Sequence, residues 1–597
     1  MGEQFSWAQR AVCGDIPLRM RVKVILAAAL LLGLVAWDFV AGTTFVGDDY
    51  LFLAFARLEP NPLLAFVRDM HGGEYYRPLP MLLWWLLDRA GQGAEWPFAL
   101  TGFLLHAGSA ALVVALGRGV GFTVRVSLVA GALFLVAPAE REAALWFAAS
   151  TDLLATLATL AAVVCLLRGS LKWEPFQGSH ALPRWCAASN EGAREARGVG
   201  RVAVGPEAPE GGARRVPTRL IWEPWEGSHP LPRWCAASKA RRLPTRLGWR
   251  AASVALAGLA YFSKETALVL PVLGMAAKWA VDSSRQPPVA ENTGRRGEFT
   301  EFLQAYVLPV LPHLIVAVGY LAARFAVLRG LGGTNDPVAP WWGRGLQMAA
   351  GLVHAVTAYA PLPEALAWLV GGGLLLIAGL FAVRARAWFP ILWTLLALLP
   401  LPAAGWVVGA RYFYLPAVGL MLVLAIAADA RGTAVAIVAI GLLAAIGLGS
   451  TATRMGDVRH YRAVLAAARD VVGKGAQASH TIFLVRNAVK DLDLAVKLAA
   501  PAGRVPQSLL VIPDVPASFV WMPDALADRA RFLLARPPLP PAGEYRFGGQ
   551  HIMGLARREE APDLDQVLAR LPELRFIELV GDGHGQVIGR DRTDARP

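Results

Sequence analysis

Cysteine is scarce here: four residues in 597, at Cys13, Cys165, Cys186 and Cys235. None stands at metal-ligand spacing with a histidine. The topology drawn below puts all four in cytoplasmic or membrane positions, which excludes a periplasmic disulfide framework. Charge is sparse as well, at 17% of residues against 55% apolar. With a mean hydropathy of +0.44, that balance excludes a string of soluble domains and indicates a polytopic membrane protein. Acidic residues are the minority, 45 against 58 basic, for a formal net charge of +13. The basic excess lies mostly between apolar runs, where cytoplasmic loops of a membrane protein account for it, so no nucleic-acid partner is required.

What is abundant is long apolar segments and tryptophan, 20 residues of it, which suits interfacial belts. A bilayer crossing needs about 20 apolar residues. Val24 to Val46 meets that length behind Arg19, Arg21 and Lys23. It exceeds the roughly 7–15 residues of a signal-peptide core, and no small-residue cleavage site follows. It therefore reads as a retained anchor, with residues 1–23 cytoplasmic. Gly47 to Glu95 (47–95) forms the first outer loop, in which Leu79 to Leu87 is too short to cross and is expected to lie in the interface, with Trp84 and Trp85 at headgroup depth. Runs from Trp96, Val126, Leu145, Ala251, Thr266, Leu303, Leu366, Trp388, Arg411 and Thr433 bring the expectation to about 11 transmembrane helices in 24–450. Pro309 and Pro312 are expected to kink the run from Leu303.

One long loop is strongly basic: Arg168 to Arg250 holds fifteen Lys/Arg against seven Asp/Glu, which places it in the cytoplasm. It carries an internal repeat, Leu171 to Asn190 matching Leu220 to Lys239 at fifteen of twenty positions, with Ala213 to Leu220 recurring as Ala240 to Leu247. Neither copy has helical or strand periodicity, so the insert (169–249) reads as duplicated, irregular sequence expected to be disordered. From Thr451 the pattern changes. Thr481 to Val485, Ser508 to Ile512 and Leu574 to Leu579 look like strands, and Met522 to Leu534 looks helical. The expected fold class is thus an all-α polytopic membrane protein with a small α/β C-terminal domain (451–597), which an odd span count puts in the periplasm.

Ionisable residues in or beside apolar spans are costly, so each is a functional candidate. Those that map to the outer face are Asp48 and Asp49, Arg77 after Tyr76, Glu140 to Glu142, Asp152, Lys264 with Glu265, and Arg411 beside Tyr412 and Tyr414. Each also has a plain reading: a solvated loop for Asp48 and Asp49, a helix-packing carboxylate for Asp152, and a local ion pair for Lys264–Glu265. Asp38 in the first span, and His71, His106, His313 and His354, read as polar packing groups.

In their order and spacing these residues resemble a known family. Asp48-Asp49-Tyr50, Tyr76-Arg77-Pro78-Leu79, Pro138 to Leu154, Phe262 to Glu265 with Pro271, and Arg411 to Gly419 (RYFYLPAVG) are similar to motifs of the GT-C glycosyltransferases that use polyprenyl-phosphate sugars as donors. The likeness is to protein O-mannosyltransferases and the transmembrane O-mannosyltransferases with tetratricopeptide repeats, and more distantly to the lipid A aminoarabinose transferases. The C-terminal region, however, has no repeat of roughly 34 residues. The resemblance implies a bacterial inner-membrane enzyme that moves a sugar, with inversion, from a polyprenyl-phosphate donor to a protein, lipid or glycan acceptor on the outer face. It implies Asp48, or alternatively Asp49, as base. Tyr76, Arg77, Glu142, Asp152, Lys264, Glu265, Arg411 and Tyr414 would be substrate-binding, with Arg77, Arg411 and then Lys264 facing the phosphate. A divalent cation, magnesium or manganese, held by Asp48, Asp49 and the phosphate is a further reading. Two other classes stay open at this stage: a transporter or flippase of a lipid-linked or sugar substrate, and a non-catalytic assembly protein.

Overall fold

The computed structural model describes residues 29–137 and 143–170 with short gaps, then 246–285, 295–330, 348–353, 364–401, 410–448, and seven strands between 481 and 591. The N-terminal 28 residues, Asp38, Asp48, His71, Glu140 to Glu142, His354 and the whole repeat-containing stretch 171–245 lie outside the described residues.

Helices dominate the described part of 29–448. After a helical stretch at 29–37 come α1 (Asp49–Leu58), α2 (Pro78–Gly91), α3 (Trp96–Gly119), α4 (Val124–Val136) and α5 (Ser150–Ser170). These are followed by α6 (Arg246–Ser263), α7 (Leu270–Arg285), α8 (Arg295–Phe302), α9 (Leu308–Leu328), α10 (Glu364–Arg384), α11 (Trp388–Leu398) and α12 (Tyr414–Arg431), and by α13 (Thr433–Leu448). Among the described residues, four helical stretches are long and apolar enough to cross a bilayer: Trp96–Gly119, Phe147–Ser170, Phe299–Leu328 and Arg411–Arg431. The other expected spans coincide with shorter or more polar helices, or run partly outside the described residues. The molecule is a multi-pass helical membrane protein.

The centre of the bundle is α5, apolar on every side and buried along most of its length, as expected of a helix surrounded by other helices. Its Ala155, Ala158 and Ala162 meet Ala257 and Ala260 of α6. Small side chains there let the two backbones approach, the usual solution where lipid removes any hydrophobic drive between helices. Ser253 Oγ on α6 reaches across to the Ala162 carbonyl at 2.7 Å. In α9 the buried residues Val310, His313, Ala317, Tyr320 and Arg324 recur at helical spacing, while Ile315, Val318 and Phe325 face outward. That stripe aims α9 at the α5–α6 pair. The prolines do not break this helix. Pro312 sits inside it, and the preceding turn, Leu303–Val307, is a π turn continuous with α8, which absorbs the change in backbone pairing.

In the first outer loop Trp84 turns toward the bundle. It is fully buried, packed against Phe45, Phe52 and Phe98, and its indole N–H donates to Ser150 Oγ at 3.2 Å. The α2 helix is therefore locked onto the start of α5. Three aromatic partners and a hydroxyl satisfy both the apolar body and the polar edge of the ring.

The C-terminal strands form one seven-stranded sheet, in the order β4-β5-β3-β2-β1-β6-β7. The central strand β1 (Thr481–Arg486) pairs in parallel with β2 (Leu509–Ile512) and β6 (Arg575–Gly581). The outer pairs, through β3 (Phe519–Pro523), β4 (Glu544–Phe547), β5 (Gln550–Gly554) and β7 (Val587–Asp591), are antiparallel. Parallel neighbours need crossover connections, and those segments, with any helices in them, lie outside the described residues. The three expected strands are present. Met522 and Pro523, assigned above to a helix, instead end β3.

Gly419 shows how close the packing runs. A Cβ there would overlap the Pro390 carbonyl oxygen and Thr394 Oγ1 of α11, so α12 approaches α11 only because the position is glycine. Overpacking of this kind costs about 1–3 kcal/mol. Gly419→Ala is expected to lower the thermal denaturation midpoint of the purified protein, with no direct change to the charged groups described next; an unchanged midpoint would mean that the two helices separate freely.

Candidate functional site

Six stretches distant in sequence bring their charged ends to one end of the bundle. Asp49 opens α1, Arg77 precedes α2, and Asp152 lies in the first turn of α5. Lys264 and Glu265 follow α6, Arg324 is near the end of α9, and Arg411 and Tyr412 lead into α12. Carboxylates at helix N-termini and a cation near a C-terminus agree with the helix dipoles.

Lys264 and Glu265 are neighbours, yet they do not pair with each other. Lys264 has extended backbone, with φ −161° and ψ 141°, so adjacent side chains leave in opposite directions. Lys264 Nζ lies 2.5 and 2.6 Å from the two oxygens of Asp152, with side-chain exposures of 2% and 6%. Its ammonium also sits 4.4 Å from the centre of the Tyr412 ring. Glu265 turns the other way. Its Oε1 receives Arg77 Nη2 at 2.7 Å and its Oε2 receives Arg77 Nε at 3.3 Å, a two-pronged pairing that suits the guanidinium fork. Arg324 Nη1 stands 3.7 Å from Glu265 Oε2 and donates to Tyr320 Oη at 3.3 Å. Burial works against both charges of the Arg77–Glu265 pair, but their attraction prevails. Beside Glu265 the Arg77 guanidinium is held above its ordinary value, and Arg77, with Arg324 and Lys264, holds the Glu265 carboxyl far below the usual carboxylate range.

Arg411 lies over the Trp146 ring at 4.1 Å and the Tyr412 ring at 5.1 Å, and its Nη2 reaches Tyr412 Oη at 3.4 Å. Both contacts are attractions of a cation for an aromatic ring. Asp49 is fully buried and accepts the Ala148 N–H at 2.5 Å. Thr151 links that turn to the ion pair, donating to the Ala148 carbonyl and to Asp152 Oδ2. Tyr76 donates to the Phe66 carbonyl at 2.9 Å and stacks on Tyr320, so its ring is a wall of the site. Tyr414 lies deeper, with its hydroxyl 2.7 Å from His106 Nδ1. His106 Nε2 donates to the Leu135 carbonyl, which leaves Nδ1 to accept from the tyrosine. His106 is thus a buried, hydrogen-bonded group with Tyr414 as its partner.

Of the residues predicted from sequence, the structure joins Arg77, Asp152, Lys264, Glu265 and Arg411 into one network, with Asp49 on the adjoining turn. Asp48 and Glu142 lie outside the described residues. The local Lys264–Glu265 pair is replaced by two long-range pairs. Arg324 was missed, although an arginine inside an apolar run is itself a signal. Trp146, which carries the Arg411 stack, gave no signal beyond its type.

The cation reading draws on Asp48, which lies outside the described residues. Asp152 and Glu265 each face a cation, Asp49 accepts a backbone amide, and no three metal-ligating side chains gather among the described residues.

No protein-family model and no curated protein sequence matches the chain. Solved structures do. The Archaeoglobus fulgidus oligosaccharyltransferase tethered with an acceptor peptide matches at 12% identity and a TM-score of 0.37, over 80% of this chain and 63% of that one. The present chain thus spans under two thirds of that protein's length. ArnT from Cupriavidus metallidurans bound to undecaprenyl phosphate matches at 13% identity and a TM-score of 0.28, over 90% and 99%. The A. fulgidus protein in complex with Zn and sulfate matches at 12% and 0.35, over 89% and 74%. Likenesses of this size carry no weight of their own.

Removing one partner of a buried pair leaves an uncompensated charge, which costs about 3–5 kcal/mol, whereas replacing both with apolar groups is often neutral. Lys264→Met alone is expected to destabilise the protein strongly, and Lys264→Met with Asp152→Leu to recover most of the loss. A double variant no more stable than the single, in thermal denaturation, would show that the two residues are not coupled.

Proposed function

We propose that the protein is an integral-membrane glycosyltransferase that moves a hexosyl or pentosyl group from a polyprenyl-phosphate donor to a protein, lipid or glycan acceptor. One observation carries this reading: groups of both signs, from six segments, meet at a single end of the helical bundle. Transfer from a lipid phosphate needs that pairing, a base on the acceptor side and cations on the leaving-group side. A transporter would place its charged groups near the middle of the bilayer, and a scaffold has no use for them at all.

In the proposed reaction an acceptor hydroxyl attacks the anomeric carbon on the face opposite the phosphate. The new glycosidic bond forms as the carbon–oxygen bond to phosphate breaks, and the electron pair leaves with the phosphate oxygen. Asp48 takes the hydroxyl proton. Asp49, the next residue, is buried on the Ala148 amide at the start of α1. Arg411, over the Trp146 ring and near the Tyr412 ring, is the first cation to meet the phosphate, and Arg77 the second. Neither sugar nor acceptor identity follows from these side chains.

The opposite ends of the helices are rich in arginine: Arg118 and Arg125 on α3 and α4, Arg168 and Arg250 where α5 and α6 meet, and Arg384 and Arg431 on α10 and α12. Under the positive-inside rule that end faces the cytoplasm. The proposed active site then opens on the outer face of a bacterial inner membrane, on the same side as the domain 451–597. We assign acceptor selection to that domain.

General-base catalysis contributes about 10²–10⁴-fold. Asp48→Asn should therefore insert normally into membranes and transfer radiolabelled sugar from polyprenyl phosphate at least about a hundredfold more slowly; turnover near the wild-type rate would remove Asp48 from the chemistry. Deletion of 451–597 should change which acceptors are labelled while donor hydrolysis continues, and an unaltered acceptor range would refute that role.

A further inference from the structure

Two arginines converge on one carboxylate at this site. Arg77 and Arg324 both approach Glu265, yet the three groups are not equally enclosed. The arginine side chains are 12% and 7% exposed, whereas Glu265 is 32% exposed. The cations are thus fixed from behind and the carboxylate covers them from the open side. The arginines are fixed independently of Glu265: Arg77 lies 4.2 Å from the centre of the Tyr75 ring, and Arg324 donates to Tyr320 Oη, whose ring stacks on Tyr76. Glu265 itself sits at the start of a single 3-10 turn, Glu265–Val269, a short element whose first residue can change rotamer without moving a span.

We propose that Glu265 is a resident counter-anion that the donor's phosphate displaces, and that Arg324 is a phosphate ligand alongside Arg77. This rests on the glycosyltransferase reading above. With no donor bound, the carboxylate keeps two enclosed guanidiniums neutralised, a state that would otherwise be expensive in a low-dielectric site. An incoming phosphate offers the same two-pronged oxygen geometry, takes the arginines, and releases Glu265 to its open side. When sugar transfer is complete the carboxylate competes for the arginines again and speeds departure of the lipid phosphate. The residue therefore trades donor affinity for product release.

The trade gives a sign that a merely structural role does not. If Glu265 only positioned Arg77, neutralising it would weaken phosphate binding. If it competes, neutralising it strengthens binding. The experiment titrates full-length protein in detergent micelles with farnesyl phosphate, a short prenyl phosphate without sugar, and follows intrinsic tryptophan fluorescence, with farnesol as the uncharged control. Glu265→Gln should bind farnesyl phosphate about tenfold more tightly, the scale of one charged hydrogen bond, and should be inhibited more strongly by it during turnover. Arg324→Gln should bind about tenfold more weakly on the same scale, and this second variant decides the matter if the first does not fold. Wild-type binding with equal or weaker binding by Glu265→Gln overturns the displacement and leaves the donor reading standing. Equal binding by Arg324→Gln removes that residue from the site. Failure of the wild type to prefer farnesyl phosphate over farnesol sinks the donor reading, and the displacement with it.

Discussion

The extended backbone at Lys264 is the constraint on which the charged end of the bundle depends. One residue in β geometry between α6 and the turn that follows sends two adjacent, opposite charges in opposite directions. Had the helix continued through this position, the two side chains would leave only about 100° apart around its axis instead of in opposite directions. As it is, Lys264 goes inward to Asp152 on α5, and Glu265 goes to Arg77 ahead of α2. Two pairs that cross in space tie three separate segments together, and the Tyr412 ring beside Lys264 brings in a fourth.

Those ties also explain why the site can hold so much charge where water is limited. Buried ions are tolerated when each finds a partner and its remaining hydrogen-bonding positions are filled. Asp152 receives both the ammonium and the Thr151 hydroxyl. Asp49 takes a backbone amide from the turn that also carries Ser150, the acceptor for the Trp84 indole. The aromatic cluster that buries Trp84 thereby sets the height of α2, and so the position of Arg77 at its start. Apolar packing and ion pairing are not separate layers at this end of the molecule: the first fixes the distances that the second requires.

The sequence conveyed the helical membrane class because a bilayer imposes a length on apolar runs, and length survives without knowledge of the fold. It also conveyed which charged residues sit at the ends of those runs. Partnership was not legible. Lys264 and Glu265 look like a local pair because nothing in the string marks a single extended residue. Trp84 looks interfacial because its run is too short to cross, while the ring's partners, Phe45 and Phe98, come from other segments. Arg324 was overlooked because a count of loop charges skips residues inside a span. Its position on the stripe with His313, Ala317 and Tyr320 becomes meaningful only when the inward face of α9 is known.

A consequence follows for how an anionic substrate must enter. Asp152, Glu265 and Asp49 already face cationic or N–H donors, so the end of the bundle is electrostatically settled before any ligand arrives. A phosphate approaching it cannot simply add to an empty cation; it must exchange with a carboxylate or use a guanidinium whose attraction is directed elsewhere. Arg411 is placed for the second route, since its guanidinium lies over the Trp146 and Tyr412 rings. Arg77 is placed for the first. A site of this design holds its shape without substrate and binds an anion by replacement, so its affinity is set by the difference between two nearly equal interactions. That arrangement would suit the proposed carrier phosphate, which has to be held during transfer and released afterwards.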